Sequence, residues 1–357
     1  MSLTSKINSK TKKDQEFKEM LLAVEPIKED YYTASGKVPF SGEYKIIAPY
    51  MLENQYDASL VGIAFDYLAR FRIAQFLGRK DVIQGWAAFT GFKKLNFPEN
   101  HKNFELFFSW VDQIKTFVKK KSEPIETLLE ISVHLAKLEQ IMRNGAAFND
   151  INIDYLFSVS APVDVIEDLK NLMAAFEENF MIPEVINKKS KVIFNPDFGI
   201  GSILVGGADA DIFIDGTLYD FKTTKNYNLV QKDNLQMIGY FILNELANEC
   251  AISTGIGTNY DMNIKRIAFY KARFGEIEYY NVGKYLSFLE NEKLEQTLKQ
   301  LAKHFNNNLG NLRKVYLYDY EDLKKHIEDV SNWDMDEIVS RITKVKESKM
   351  TKKSYKS

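Results

Sequence analysis

Apolar residues recur at helical spacing over residues 59–77 (SLVGIAFDYLARFRIAQFL), where Ser59 can cap the start and Gly78 can close the end. From about residue 82 to 180 the pattern stays mostly helical. One helix runs from Ser122 and Pro124 to Arg143, closed by Asn144-Gly145, and another covers residues 164–180. The period then shortens. Residues 191–195, 210–214, 218–222 and 266–271 are short runs, mostly rich in β-branched and aromatic side chains, which predict strands. A helix over 234–249 falls between the third and the fourth, and 282–305 and 320–346 return to helical spacing. The first residues are polar and lysine-rich, and the last (KVKESKMTKKSYKS) are basic, so both ends read as frayed.

These patterns predict an α/β fold with a large helical insertion and a helical C-terminal extension. The expected divisions are a flexible arm (1–20), a segment with the first core helix (21–78), the insertion (79–185), the core (186–282), the extension (283–343) and a basic flexible tail (344–357).

Composition narrows the function. Of the 357 residues 45% are hydrophobic and 27% charged, as in ordinary globular proteins, so pervasive disorder is not expected. The net charge of −2 excludes a histone-like basic binder but leaves room for a local basic groove. Cys250 is the single cysteine, which excludes an internal disulfide and a multi-cysteine zinc site. His101, His134, His304 and His326 are scattered without metal-ligand spacing. No apolar run reaches membrane-spanning length, and residues 1–18 lack the apolar stretch of a secretory signal. The expectation is a cytoplasmic protein with no membrane partner.

The chemistry concentrates in residues 206–225 (GGADADIFIDGTLYDFKTTK). Asp215-Gly216 between β-type runs signals a two-residue hairpin. If Ile214 pairs with Thr217, then Asp211 stands opposite Asp220 and Asp209 opposite Lys222. All four project from one face, with Phe213 and Leu218 nearer the turn. Ile212, Ile214, Tyr219 and Phe221 occupy the other face. Like charges facing each other on a ribbon are destabilising. A hard divalent cation reverses that penalty, and carboxylates, a backbone carbonyl and waters suit Mg²⁺ or Mn²⁺. Lys222 beside such an ion could orient or deprotonate a water and offset phosphate charge. The plain reading is a solvated face on which Lys222 pairs with Asp209. An acid-x-Lys triplet alone decides nothing, because Glu16, Glu43, Asp168, Asp322 and Glu347 also begin one. Among these, Asp220 alone combines a strand, a preceding hairpin turn and a facing aspartate.

Two helical segments add to the hairpin. Gln236 and Tyr240 lie four apart and so share a helix face. Upstream, Gly62 and Asp66 fall within little more than a helical turn, and Asp66 also has the spacing to pair with Arg70. Together, the helix carrying Gly62, the Gly206–Asp211 strand, Asp220-Phe221-Lys222 and the Gln236-x-x-x-Tyr240 helix resemble the PD-(D/E)XK nuclease superfamily, RecB-type branch. The likeness covers mainly residues 59–78 and 190–282. Asp66 stands about where that branch usually has histidine, and no proline precedes the metal aspartate. Asp209 keeps the glycine spacing, whereas Asp211 has the hairpin register and is the favoured ligand.

The resemblance implies a restriction-endonuclease-like core, a central mixed sheet flanked by helices. It implies a Mg²⁺- or Mn²⁺-dependent deoxyribonuclease acting in recombination, repair or defence against foreign DNA, with cleavage leaving a 5′-phosphate. Asp211, Asp220 and the Phe221 carbonyl would hold the metal, with Asp66 and Asp209 as further ligands. Lys222 would position the attacking water, and Gln236 and Tyr240 would brace the site or contact DNA. Phosphate binding needs cations. The candidates are Lys225 and Lys232 beside the site, Lys188, Lys189 and Lys191 near the first core strand, Lys119 to Lys121 in the insertion, and Arg273 at the end of the fourth strand. The alternatives are a non-catalytic nucleic-acid-binding or assembly module on the same scaffold and an RNA-directed nuclease. A Ser or Cys hydrolase lacks a supporting motif.

Overall fold

The computed structural model describes residues 2–98, 101–144, 153–254, 262–288 and 290–306. The predicted helix over 320–346 and the basic tail lie outside them. In chain order the elements are α1 (Leu3–Asn8), α2 (Lys12–Leu22), β1 (Tyr32–Thr33), α3 (Ala58–Leu77), α4 (Ala87–Lys94), α5 (Lys102–Lys119), α6 (Leu129–Asn144), α7 (Ile153–Ser158) and α8 (Val163–Asn179). They continue with β2 (Val192–Phe194), α9 (Ile200–Val205), β3 (Ile212–Ile214), β4 (Thr217–Lys222), α10 (Gln231–Thr254), β5 (Arg266–Lys271), β6 (Glu276–Asn281), α11 (Val282–Phe288) and α12 (Glu290–Asn306). The fold is mixed α/β. Among the described residues, no helix is long and apolar enough to cross a membrane.

The six strands form one mixed sheet in the order β1-β6-β5-β4-β3-β2. β4 and β5 run parallel, and the other neighbours are antiparallel. A parallel step needs a long crossover, and α10 supplies it. Both faces of the sheet are covered, and side-chain alternation sorts the strand residues into two cores. Ile212, Ile214, Tyr219, Phe221, Ala268 and Tyr270 pack with α3, α6 and α8. Ile193, Phe213, Leu218, Ile267, Phe269 and Tyr280 pack with α1, α2, α10 and α12. The hairpin face carrying the acids is therefore not a solvated one, since helices lie over it.

The segment expected as a flexible arm (1–20) instead carries α1 and most of α2, two capped helices. Ser2 Oγ accepts from the Ser5 N–H at 3.3 Å, and Thr11 Oγ1 accepts from the Asp14 N–H at 3.3 Å. Leu3, Ile7, Phe17 and Leu21 are each 1% exposed. Leu3 and Leu21 come so close to Gly239 of α10 that a Cβ there would lie 3.1 and 3.5 Å from them. A buried Lys6–Asp14 pair at 3.2 Å ties α1 to α2. The few apolar positions in these short helices look like a polar tail in sequence, yet Leu3, Ile7, Phe17 and Leu21 seal the α10 side of the core. Strand β6 has no counterpart among the predicted elements, because EIEYYN reads as a charged segment. Its glutamates are buried with partners: Glu278 accepts from the Tyr44 hydroxyl at 2.6 Å and the Phe40 N–H at 2.7 Å, and Glu276 from the Ser35 hydroxyl at 2.6 Å.

Candidate active site

The predicted hairpin forms with the predicted register. Asp215 and Gly216 both take positive φ, 47° and 87°, as a type I′ turn requires. Ile214 pairs with Thr217, Phe213 with Leu218 and Ile212 with Tyr219. One step further Asp211 comes opposite Asp220, and there the regular ladder ends. The Asp211 carboxylate substitutes for it, since Oδ2 accepts from the Phe221 N–H at 2.6 Å. The Phe221 carbonyl points to the same side, because the N–H and C=O of a strand residue share a direction. On the other edge of β3, the Asn195 N–H donates to the Asp211 carbonyl at 3.2 Å.

Asp220 is 5% exposed. Its Oδ2 lies 2.7 Å from Lys222 Nζ, but the approach is poorly angled, so this buried oxygen has no hydrogen bond of good geometry. Lys222 Nζ is also 3.4 Å from Asp233 Oδ1 on the first turn of α10. Burial would lower the Lys222 amine, but Asp220 and then Asp233 outweigh it and raise it, so the side chain is an ammonium at neutral pH. Without metal, Lys222 is therefore a fixed cation that orients and neutralises, and it is not the proton acceptor that the sequence left open.

The acids are held away from their ordinary behaviour. Burial, and then the charge of Asp220, push Asp211 up to about 7. Burial raises Asp220 against the pull of Lys222. Burial and then Asp211 raise Asp66 well above the carboxylate range. Asp66 reaches this group from α3 on the opposite side of the sheet. Gly62 permits the approach of that helix, because a Cβ there would already touch Thr223 Oγ1 at 3.4 Å, just past β4. Arg70 does not pair with the Asp66 carboxylate. It donates to the Asp66 carbonyl at 3.0 Å and to Asn195 Oδ1 at 2.6 Å. Asp209 is reachable by solvent but sits among enough protein that desolvation raises its carboxyl, opposed by Arg143.

From α10, Gln236 Nε2 donates to the Tyr240 hydroxyl at 2.6 Å. Tyr240 is buried, with its ring stacked on Phe198 at 5.0 Å. Burial, then Asp209 and Asp220, raise its hydroxyl well above the usual range, so it is a neutral donor beside the acids. The pair faces the hairpin and is not surface decoration.

Among the described residues, no three acidic, histidine or cysteine side chains stand together as a ready-made metal group. Asp66 and Asp209 are thus not brought with Asp211 and Asp220 into one cage. Two carboxylates still fit Mg²⁺ or Mn²⁺, which commonly take one or two and keep several waters. The buried Asp220 Oδ2 without a well-formed hydrogen bond and the mutually unfavourable charges of Asp211 and Asp220 are what a cation would satisfy.

The predicted phosphate-binding cations separate. Lys225 and Lys232 are exposed near the site end of β4, Lys225 resting 3.9 Å above the Tyr50 ring. Lys188, Lys189 and Lys191 lie at the turn end of the ribbon, where the Lys191 N–H donates to Asp215 Oδ1 at 2.8 Å. At about 3.3 Å per residue, that end is roughly 13 Å along the strand from Asp211. Lys188 is spent on the Phe76 carbonyl and ring. Lys119 to Lys121 are exposed at the end of α5. Arg273 is no DNA contact, because it is 1% exposed and forms a two-pronged pair with Asp168 at 3.0 and 2.6 Å. It also donates to the Thr223 carbonyl at 2.7 Å and the Pro49 carbonyl at 3.1 Å.

Asp233, Glu139 and Arg143 also border the site, and the sequence pattern did not single them out. Asp233 shares a helix face with Gln236 and Tyr240 (i, i+3, i+7), which is a readable signal. Glu139 and Arg143 come from α6, and no local pattern ties that helix to the hairpin. No family model, no curated protein and no solved structure matches the chain.

Proposed function

We propose that the chain is a divalent-metal-dependent deoxyribonuclease built on a restriction-endonuclease-like core of the RecB type. The observation that carries this reading is the Asp211–Asp220 pair at the end of the β3–β4 ladder, with the Lys222 ammonium 2.7 Å from Asp220. Asp211, Asp220 and the Phe221 carbonyl would hold Mg²⁺ or Mn²⁺. When bound, the ion supplies polarisation of a phosphoryl oxygen and a more acidic water. Lys222, fixed between Asp220 and Asp233, offsets the charge that builds on the phosphate and orients the attacking water. Tyr240, held by Gln236, presents a neutral hydroxyl to the same acids. A non-catalytic module on the same scaffold has less in its favour, because Asp211, Asp220 and Lys222 are all in place.

The test is cleavage of single- and double-stranded DNA, with RNA alongside, in Mg²⁺ or Mn²⁺, by wild type and by Asp220→Ala and Lys222→Ala. Loss of cleavage in both variants supports the reading, and equal cleavage by all three removes these residues from the mechanism. Preference for the RNA substrate would reassign the substrate and keep the chemistry.

A further inference from the structure

Near the acids, most cations are already committed. Lys222 lies between two aspartates, Arg70 is bonded to Asn195 and the Asp66 carbonyl, and Arg273 is buried on Asp168. Arg143, in the last turn of α6, is different. Its side chain is 52% exposed. Its Nε and Nη2 both donate to the same oxygen, Glu139 Oε1, at 2.8 and 2.5 Å. Nη1 has no partner among the described residues. Glu139 is itself fixed, since its Oε2 accepts from the Tyr67 hydroxyl at 2.8 Å, and that hydroxyl accepts from the Ala88 N–H at 3.1 Å. The guanidinium is therefore aimed by a buried anchor while one edge stays open. Its anchor adjoins the site: the Arg70 guanidinium lies 4.7 Å from the Tyr67 ring and donates to Asn195 Oδ1 at 2.6 Å, and the Asn195 N–H donates to the Asp211 carbonyl at 3.2 Å. Among the described residues Arg143 forms no ion pair with Asp209, whose charge nonetheless acts on it.

We propose that Arg143 is a phosphate-contacting residue that seats a nucleic-acid strand over the Asp209–Asp211–Asp220 group. Resting on the nuclease reading, this gives the helical block a role, since α6 brings a cation to a site that β3 and β4 leave rich in negative charge. A guanidinium edge suits the paired oxygens of a phosphodiester. A pre-aimed side chain also loses less rotamer entropy on binding. Glu139 acts through Arg143 and is a positioning residue.

The experiment uses the full chain, with wild type, Arg143→Ala and Arg143→Lys compared in two assays. The first is anisotropy of a fluorescein-labelled oligonucleotide in Ca²⁺ across a salt series. The second is steady-state cleavage in Mg²⁺. Expected for Arg143→Ala is about a tenfold rise in Kd and KM, whatever the base sequence, with kcat within a few-fold. The slope of log affinity against log salt should fall by about one. Arg143→Lys, which still pairs with Glu139 and so guards against misfolding, should lie between. Arg143-dependent binding without cleavage by wild type would uphold this inference and sink the nuclease reading. Cleavage by wild type with KM and salt slope unchanged in both variants would overturn the inference and spare that reading. Absence of binding by wild type would overturn the inference.

Discussion

Asp211 accepts a hydrogen bond from the backbone N–H of Phe221 at 2.6 Å, where the next rung of the β3–β4 ladder would otherwise lie. This one contact fixes the carboxylate against the strand that carries Asp220 and Lys222. It also exposes a conflict, because burial and then the charge of Asp220 push Asp211 up to about 7.

Asp211→Asn should relieve that conflict without losing the bond, since an amide oxygen can accept from the same N–H. At pH 8 and without divalent metal, the variant should be more stable than wild type by roughly 1 kcal/mol. The stabilisation that Mg²⁺ confers on wild type should vanish. Thermal melts with EDTA and with Mg²⁺ measure both effects.

The pH dependence has a definite sign. Asp211 binds its proton up to about 7 in the folded chain, against an ordinary value of 3.8. Between those values the folded state holds a proton that the unfolded state has released, so stability falls as pH rises through the window. Asp66 and Asp220, raised in the same direction, add to it. Metal-free protein should melt lower at pH 7.5 than at pH 5.5. Because binding a cation expels the proton, the gain in Tm from Mg²⁺ should be larger at the higher pH.

Arg273 belongs to the core. Arg273→Ala leaves the buried Asp168 carboxylate without its partner, although that carboxylate also accepts from the Met51 N–H at 2.8 Å. The expected loss is about 3–5 kcal/mol in denaturant unfolding. Any refolded fraction should show an unchanged salt slope for oligonucleotide binding.

Phe17 tests whether the N-terminal helices are part of the fold. Its ring is 1% exposed and lies 5.8 Å from Phe305 and 6.2 Å from His304 of α12. Phe17→Ala should cost about 3–5 kcal/mol, whereas a flexible arm would lose nothing. Urea unfolding separates the two.

What could be read in the sequence was local. The Asp215-Gly216 turn set the register of Asp211 and Asp220 because turn geometry and strand alternation act over a few residues. The i, i+4 spacing of Gln236 and Tyr240 likewise placed them on one face. Elsewhere distant chain decided. Arg273 looked like a free cation because Asp168, 105 residues away, claims it only in the folded core. Strand β6 carries no local signal because its Glu276 and Glu278 find partners in Ser35, Phe40 and Tyr44, which reach them from the N-terminal segment. Arg143 comes within electrostatic range of Asp209 through the packing of α6 on α3, which no local pattern encodes.

The central claim is that Asp211 and Asp220 share one divalent cation. Isothermal titration of Mn²⁺ into the full chain at pH 8 tests it most directly. The expected result is saturable binding by wild type, lost in Asp211→Asn and in Asp220→Asn and retained in Lys222→Ala. Equal binding by wild type and both asparagine variants would contradict it.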